Sequence, residues 1–261
     1  MPEMVRSADG TEIAYDVVGD GRSVIVIGGA FNTRFSPYPL VTLLGERFSV
    51  ISFDRRGRGD SRDADTYAPD RELEDIAALI DTTGGEVMVY GHSSGAILAL
   101  EAAAAGLPVS KVVAFEPPYT TEPGGVVTDG GVVAALDAGD RELAAERFMR
   151  LTGMDDGAIQ WVKGAPFWAG MVAMAPTLRY DLALAGDGVL PSDRFSVISV
   201  PTLAIDGGNS PEWAGRVSNA VVAAVPGAER VTLEGQTHAV DQNVLAPVLI
   251  EFLSLPPTAA R

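Results

Sequence analysis

The chain has 261 residues, 47% of them hydrophobic, enough for one large α/β domain with a sizeable core. Nineteen Lys and Arg against thirty-five Asp and Glu leave a net charge of −16, which argues against nucleic acid or an anionic membrane surface as partner. The absence of cysteine excludes disulfides, thiolate metal sites and cysteine nucleophiles, and with no signal-like N-terminus or membrane-length apolar run the expected location is the cytoplasm.

Met4–Ser7 and Thr11–Val18 read as a hairpin around the Asp9-Gly10 turn. Ser23–Ile27 is a buried strand that ends in Gly28-Gly29, and Phe48–Phe53 is another that leads into Asp54-Arg55-Arg56-Gly57-Arg58-Gly59-Asp60-Ser61. Asp70–Thr82 has helical spacing, with Leu73, Ile76, Ala77 and Ile80 on one face. Strand character returns at Val87–Tyr90, Lys111–Phe115, Pro201–Ile205 and Glu229–Leu233, and the last helix spans roughly Asn243–Leu253. This alternation implies a mostly parallel sheet covered by helices on both faces.

From about Pro118 to Phe195 the alternation stops, and only helical segments such as Gly131–Ala138, Arg141–Leu151 and Asp156–Val162 are visible. That length exceeds a plain connection and suggests a helical cap inserted over the sheet edge, giving a core of residues 1–117 and 196–261 and a cap of residues 118–195. The cap gathers Met154, Trp161, Phe167, Trp168, Met171 and Met174. These either pack the cap onto the core or, with Phe31, line an apolar substrate pocket.

The chemistry concentrates at Val87-Met88-Val89-Tyr90-Gly91-His92-Ser93-Ser94-Gly95, which runs directly into the Ala/Leu-rich segment Ala96–Ala102. A Gly-x-Ser-x-Gly turn between a strand and a helix forces its serine into a strained conformation and exposes the hydroxyl. The glycines clear space for the strand and the helix, and the following N–H, of Ser94, points at the same spot from the helix N-terminus. Ser93 is thus the expected nucleophile. Of the two histidines, His92 sits inside the turn and is badly placed to serve its neighbour, whereas His238 follows the last strand on a loop returning to the same sheet edge. His238 is the expected base.

Taken together, Gly28-Gly29, Phe53–Ser61, Gly91–Gly95 and Gly235-x-x-His238 resemble the α/β-hydrolase superfamily over nearly the full length. The resemblance implies an eight-stranded, mostly parallel sheet with a helical cap. It also implies an oxyanion hole formed by the Ser94 N–H and a donor just after the third strand, by position Ala30, with Phe31 the second choice. The polar histidine often found before those glycines is Ile27 here. The superfamily's usual acid position, in Asp206-Gly207-Gly208-Asn209-Ser210, holds serine. Some members carry the acid instead at the end of the strand after the nucleophile helix, which points to Glu116, with Asp206 the alternative. Asp54, Arg55 and Arg56 are expected to brace the loop beside the turn, and Asp60 and Ser61 to shape it.

The resulting expectation is a serine hydrolase acting on a small or medium apolar ester, thioester or lactone, with no cofactor and no metal. A cyclase or carbon–carbon hydrolase using the same residues is the alternative enzyme class, and a non-catalytic ligand-binding homologue the alternative outside enzymes. A serine nucleophile argues against the aspartate-based epoxide hydrolases and dehalogenases of the superfamily.

Overall fold

In a computed structural model, which describes residues 1–119 and 129–256, eight strands form one sheet. They are β1 (Glu3–Arg6), β2 (Glu12–Val18), β3 (Ser23–Ile27), β4 (Ser49–Phe53), β5 (Val87–His92), β6 (Val109–Phe115), β7 (Thr202–Gly207) and β8 (Glu229–Leu233), in the order β1-β2-β4-β3-β5-β6-β7-β8. The pairs β1–β2 and β2–β4 are antiparallel and all others parallel.

Alternation within the central strands explains why Val24–Ile27, Val87–Tyr90 and Val112–Phe115 are apolar without a break. Ile25 and Ile27 of β3, Val87 and Val89 of β5, and Val112 and Ala114 of β6 enter one core. Their neighbours Val24, Val26, Met88, Tyr90, Val113 and Phe115 enter another on the opposite face. Successive side chains leave a strand on opposite sides, so a sheet covered on both faces needs apolar residues at every position. The first core is closed by helices α2 (Pro69–Thr83), α3 (Ser94–Ala104) and α10 (Glu212–Ala224), and the second by α1 (Tyr38–Gly45) and α11 (Gln242–Ser254).

Between β6 and β7 lie α4 (Val132–Asp137), α5 (Arg141–Leu151), α6 (Asp156–Lys163), α7 (Trp168–Met174), α8 (Leu178–Ala185) and the short α9 (Ser192–Phe195). Residues 120–128, near the start of the expected cap, and the C-terminal residues 257–261 lie outside the described residues. Helices α4 to α7 form two small cores of their own around Ala144 and Ile159. Leu184, Ala185, Leu190 and Phe195 instead join the sheet-side core, so the last part of this segment is built into the main body. No helix among the described residues is long and apolar enough to cross a membrane.

The order of the strands positions the site. After β3 the chain moves to one side to form β4 and then to the other to form β5, so the loops leaving β3 and β5 diverge at adjacent strands. Crevices at the carboxyl ends of a parallel sheet form where strand order reverses in this way. Register places Ile27 beside Gly91, His92 beside Phe115, and Phe115 beside Ile205, so the next residues of these strands line one edge.

Candidate active site

Ser93 occupies the step from β5 into α3. Its φ of 57° is left-handed, and its N–H extends the sheet ladder to the Phe115 carbonyl at 2.9 Å. The two glycines of the turn are sterically required. A Cβ on Gly91 would lie 2.1 Å from the Gly95 carbonyl oxygen, and one on Gly95 would lie 2.2 Å from that of Ile27. Helix α3 therefore starts hard against the ends of β3 and β5, leaving Ser93 half-buried at the edge.

Three non-glycine residues have positive φ among the described residues: Phe31 at 59°, Ser93 at 57° and Glu116 at 47°. All three follow strands that end at this edge. For side chains bearing a Cβ this conformation costs about 1–2 kcal/mol each, and such strain gathers at functional sites.

Glu116 follows β6 and is fully buried. Its N–H continues the ladder to the Ile205 carbonyl at 3.0 Å, while its Oε1 accepts from the Gly207 N–H at 2.8 Å. Its Oε2 lies 2.5 Å from Nδ1 of His238. Burial alone would raise the Glu116 pKa, but the contacts from His238 and the Gly207 N–H, with the Ser210 hydroxyl close by, hold the carboxyl below its ordinary value. The Ser210 hydroxyl, at the usual acid position, is buried beside this carboxylate without a well-formed hydrogen bond.

Asp206 faces elsewhere. Its two oxygens take a bidentate pair from Arg230 at 2.7 and 2.9 Å, with a further bond from Thr232 at 3.1 Å. The carboxylate close to His238 is thus Glu116, and the Asp206 side chain is committed to the β7–β8 edge.

His238 remains partly exposed, and with Nδ1 turned to Glu116 its Nε2 has no hydrogen-bond partner among the described residues. His92, set aside as a base from the sequence, has a different task. Its Nε2 lies 2.8 Å from the His238 carbonyl oxygen. A carbonyl only accepts, so that nitrogen carries the proton. Burial, followed by the neighbouring His238 ring, depresses the His92 pKa to about 4, which keeps the imidazole neutral. Trp213, at the start of α10, flanks the His238 ring at 6.2 Å between centroids and carries no sequence signal of its own.

On the other side of Ser93 lies the loop after β3. A Cβ on Gly29 would stand 2.9 Å from the Ser93 Cβ and 3.5 Å from its Oγ, so the loop backbone runs directly beside the serine. Among the described residues no acceptor takes the N–H of Ala30, Phe31 or Ser94. Free N–H groups beside a hydroxyl, one of them at a helix N-terminus, suit a developing negative charge.

Beneath this loop is a buried ion network. Arg55 grips Glu72 with two bonds of 2.6 and 2.7 Å, and reaches Asp181 at 2.9 Å, Ser94 Oγ at 3.0 Å and the Gly28 carbonyl at 3.3 Å. Arg58 binds the Gly29 carbonyl at 2.6 Å and both oxygens of Asp181 at 3.0 and 2.8 Å. Ser94 Oγ donates to Asp181 at 2.6 Å. Burial opposes the charge on Asp181, yet Arg58 and Arg55 hold its carboxyl below the ordinary range. Arg56 is used separately, in a bidentate pair with Asp75, and Asp54 ties Arg34 to the turn at Asp60. Ser61 donates to the Asp54 carbonyl and accepts from the Ala14 N–H.

Of the residues expected to line an apolar pocket, Phe31, Trp168 and Met171 share one cluster with Met149 and Ile159. Met174 is half-buried at the end of α7. Trp161 and Phe167 depart from the expectation: they are 69% and 50% exposed and meet each other edge to face, 6.2 Å apart. The amphipathic turn of α6 buries Ile159 and Val162, which sends Trp161 outward.

Comparison with known proteins agrees with this architecture. The sequence pattern described as the alpha/beta hydrolase family matches residues 24–245. A solved alpha/beta hydrolase from Sphaerobacter thermophilus DSM 20745 is 45% identical, with a TM-score of 0.91 over 97% of this chain and 100% of that one. The provisionally named non-heme bromoperoxidase BpoC of Mycobacterium tuberculosis is 30% identical over 74% of this chain and 78% of its own. An esterase from Exiguobacterium antarcticum, at 22% identity and a TM-score of 0.77 over 98% and 100% of the two chains, shares the fold.

Proposed function

Because the chain belongs to the alpha/beta hydrolase family, we propose that it is a serine hydrolase that cleaves small or medium apolar esters, thioesters or lactones through an acyl-enzyme on Ser93. The observation that carries this reading is the 2.5 Å contact between His238 Nδ1 and a fully buried Glu116, at the same sheet edge as a strained serine. A carboxylate so placed fixes the imidazole tautomer and offsets the charge that forms on it, while Nε2 is left to take a proton.

In the proposed reaction Ser93 Oγ attacks the substrate carbonyl carbon as its proton passes to His238 Nε2. The N–H groups of Ala30 and Ser94 receive the oxyanion. Collapse of the tetrahedral adduct breaks the acyl–oxygen or acyl–sulfur bond, and His238 returns the proton to the leaving group. Water, deprotonated by the same nitrogen, then releases the acid and restores Ser93. The apolar cluster of Phe31, Trp168 and Met171 next to the loop after β3 supports an apolar acyl group as substrate.

The test is intact-protein mass spectrometry after exposure to a fluorophosphonate, beside turnover of p-nitrophenyl butyrate. A single adduct on the wild type, absent from Ser93→Ala together with turnover, is the expected result. A folded wild type that takes no adduct overturns the proposal and favours a ligand-binding homologue.

A further inference from the structure

Arg58 donates to the carbonyl oxygen of Gly29 at 2.6 Å. That carbonyl and the N–H of Ala30 belong to one planar trans peptide unit, so fixing the oxygen fixes the direction in which the N–H points. The charge-assisted bond also draws electron density toward the oxygen and makes the N–H a stronger donor. The guanidinium thus acts on the edge of the peptide opposite to its N–H.

Arg58 is itself held by Asp181 of α8, through both carboxylate oxygens. The same carboxylate accepts from Ser94 Oγ and from Arg55, which reaches back to the Gly28 carbonyl. One carboxylate from the segment between β6 and β7 therefore links the Gly29–Ala30 peptide, through Arg58, to the side chain of Ser94, whose own N–H is the other donor offered to an oxyanion. Two guanidinium groups are matched by two carboxylates, Glu72 and Asp181, so the network has no net charge with which to attract an anion across the site. Its influence is local and directional. Ile27, fully buried and apolar, adds no polar side chain; the loop's own bonds run from the Asn32 N–H to the Gly29 carbonyl at 3.3 Å, longer than that from Arg58, and from the Asn32 side chain to the Ala30 carbonyl at 2.9 Å.

We propose that Arg58 and Asp181 are positioning residues for the oxyanion hole: Asp181 orients Arg58, and Arg58 aims and polarises the Gly29–Ala30 peptide toward the oxygen bonded in the transition state. This rests on the serine-hydrolase reading and adds a link from helix α8 to the chemical step.

The experiment compares wild type with Arg58→Met, Arg58→Lys and Asp181→Asn on p-nitrophenyl butyrate, and measures inhibition by an alkyl trifluoromethyl ketone, whose serine adduct carries an oxyanion. Removing support from an oxyanion donor should lower kcat of Arg58→Met about a hundredfold and weaken the ketone by a similar factor. KM should stay within about threefold, because the ground-state carbonyl gains little from the donor. Arg58→Lys, which keeps a charged donor, should recover about tenfold of the loss, and Asp181→Asn should fall between the two. A loss confined to KM, an unchanged ketone affinity, or no recovery by lysine overturns the proposal. Should Arg58→Met fail to fold, the lysine and Asp181→Asn variants decide it by the same criteria.

Failure of the underlying reading shows separately, as a wild type that takes no fluorophosphonate. The positioning claim is then decided by the Ala30 amide proton and Gly29 carbonyl carbon resonances. Both should move upfield in Arg58→Lys relative to wild type, and unmoved resonances overturn it.

Discussion

His92 donates its Nε2 proton to the carbonyl oxygen of His238, 2.8 Å away, so the chain's two histidines are joined ring to backbone. The bond spans 146 residues and anchors the loop that presents the proposed base. It needs a proton on Nε2, and burial keeps the ring in the neutral tautomer that carries it there.

The pH dependence of stability follows. His92 titrates at about 4 in the folded protein, against 6.5 ordinarily. Between these values the unfolded chain binds more protons, so the stabilisation is complete above pH 6.5 and is lost as pH falls toward 4. A shift of this size corresponds to about 3 kcal/mol. Glu116, lowered from 4.5, contributes its own loss only below that value, while Glu101 and Asp75, raised by burial, work with the opposite sign, so the His92 variant is needed to isolate its share. Urea unfolding of wild type should weaken between about pH 7 and about pH 5, and His92→Gln should flatten that slope. An equal slope in the variant would assign the effect to another group.

Glu116→Gln and Asp206→Asn should separate chemistry from stability. The first leaves an imidazole without its counter-charge or enforced tautomer, and turnover should drop by about a thousandfold or more. The second loosens the pair with a partly exposed Arg230, and should cost about 1–2 kcal/mol of stability with turnover nearly intact. Steady-state kinetics and thermal melts on both variants check the ranking.

Ser210 offers a test by relocation. It is buried beside the Glu116 carboxylate, so Ser210→Asp in the wild-type background sets two carboxylates against each other and should depress both stability and turnover. In Glu116→Gln the same substitution returns a single carboxylate to that place. Turnover should then rise by about tenfold over Glu116→Gln alone. Kinetics of the two singles and the double give the answer.

Two glycines should fail in different ways. Gly95→Ala drives a methyl into the Ile27 backbone, where nothing can yield except by separating β3 from α3, and should cost more than about 3 kcal/mol. In Gly29→Ala the methyl meets the Cβ and Oγ of Ser93 and the His92 carbonyl oxygen, at 2.9, 3.5 and 3.0 Å. Its expected signature is lost turnover with a smaller drop in melting temperature.

What the sequence makes legible is local. The strand–turn–helix around Ser93 is read from adjacent residues, and β3, β5 and β6 are apolar enough to locate within a residue or two. Helix α1 escapes because it is short and has a proline in its first turn, and α10 because Gly215 and its Ala/Val content blur the helical period. Arg58 and Asp181 escape for another reason. Their partnership joins residues 123 apart, in a motif whose other arginines attract the attention and a helix with no distinctive pattern. Long-range ion pairs between buried groups leave no periodicity, so only the folded arrangement reveals them. Trp161 and Phe167 fail in the opposite sense: composition groups them with Trp168, and the phase of α6 turns Trp161 to solvent.

The left-handed backbone at Phe31, Ser93 and Glu116 has a consequence for how the sequence can drift. Together these three positions carry about 3–6 kcal/mol of conformational cost, a large share of the net stability of an ordinary domain. Glycine would relieve it at each of them. A lineage selected for persistence alone would converge on glycine there, and a phenylalanine, a serine and a glutamate after three strands of one sheet edge are what selection on chemistry would leave in a backbone.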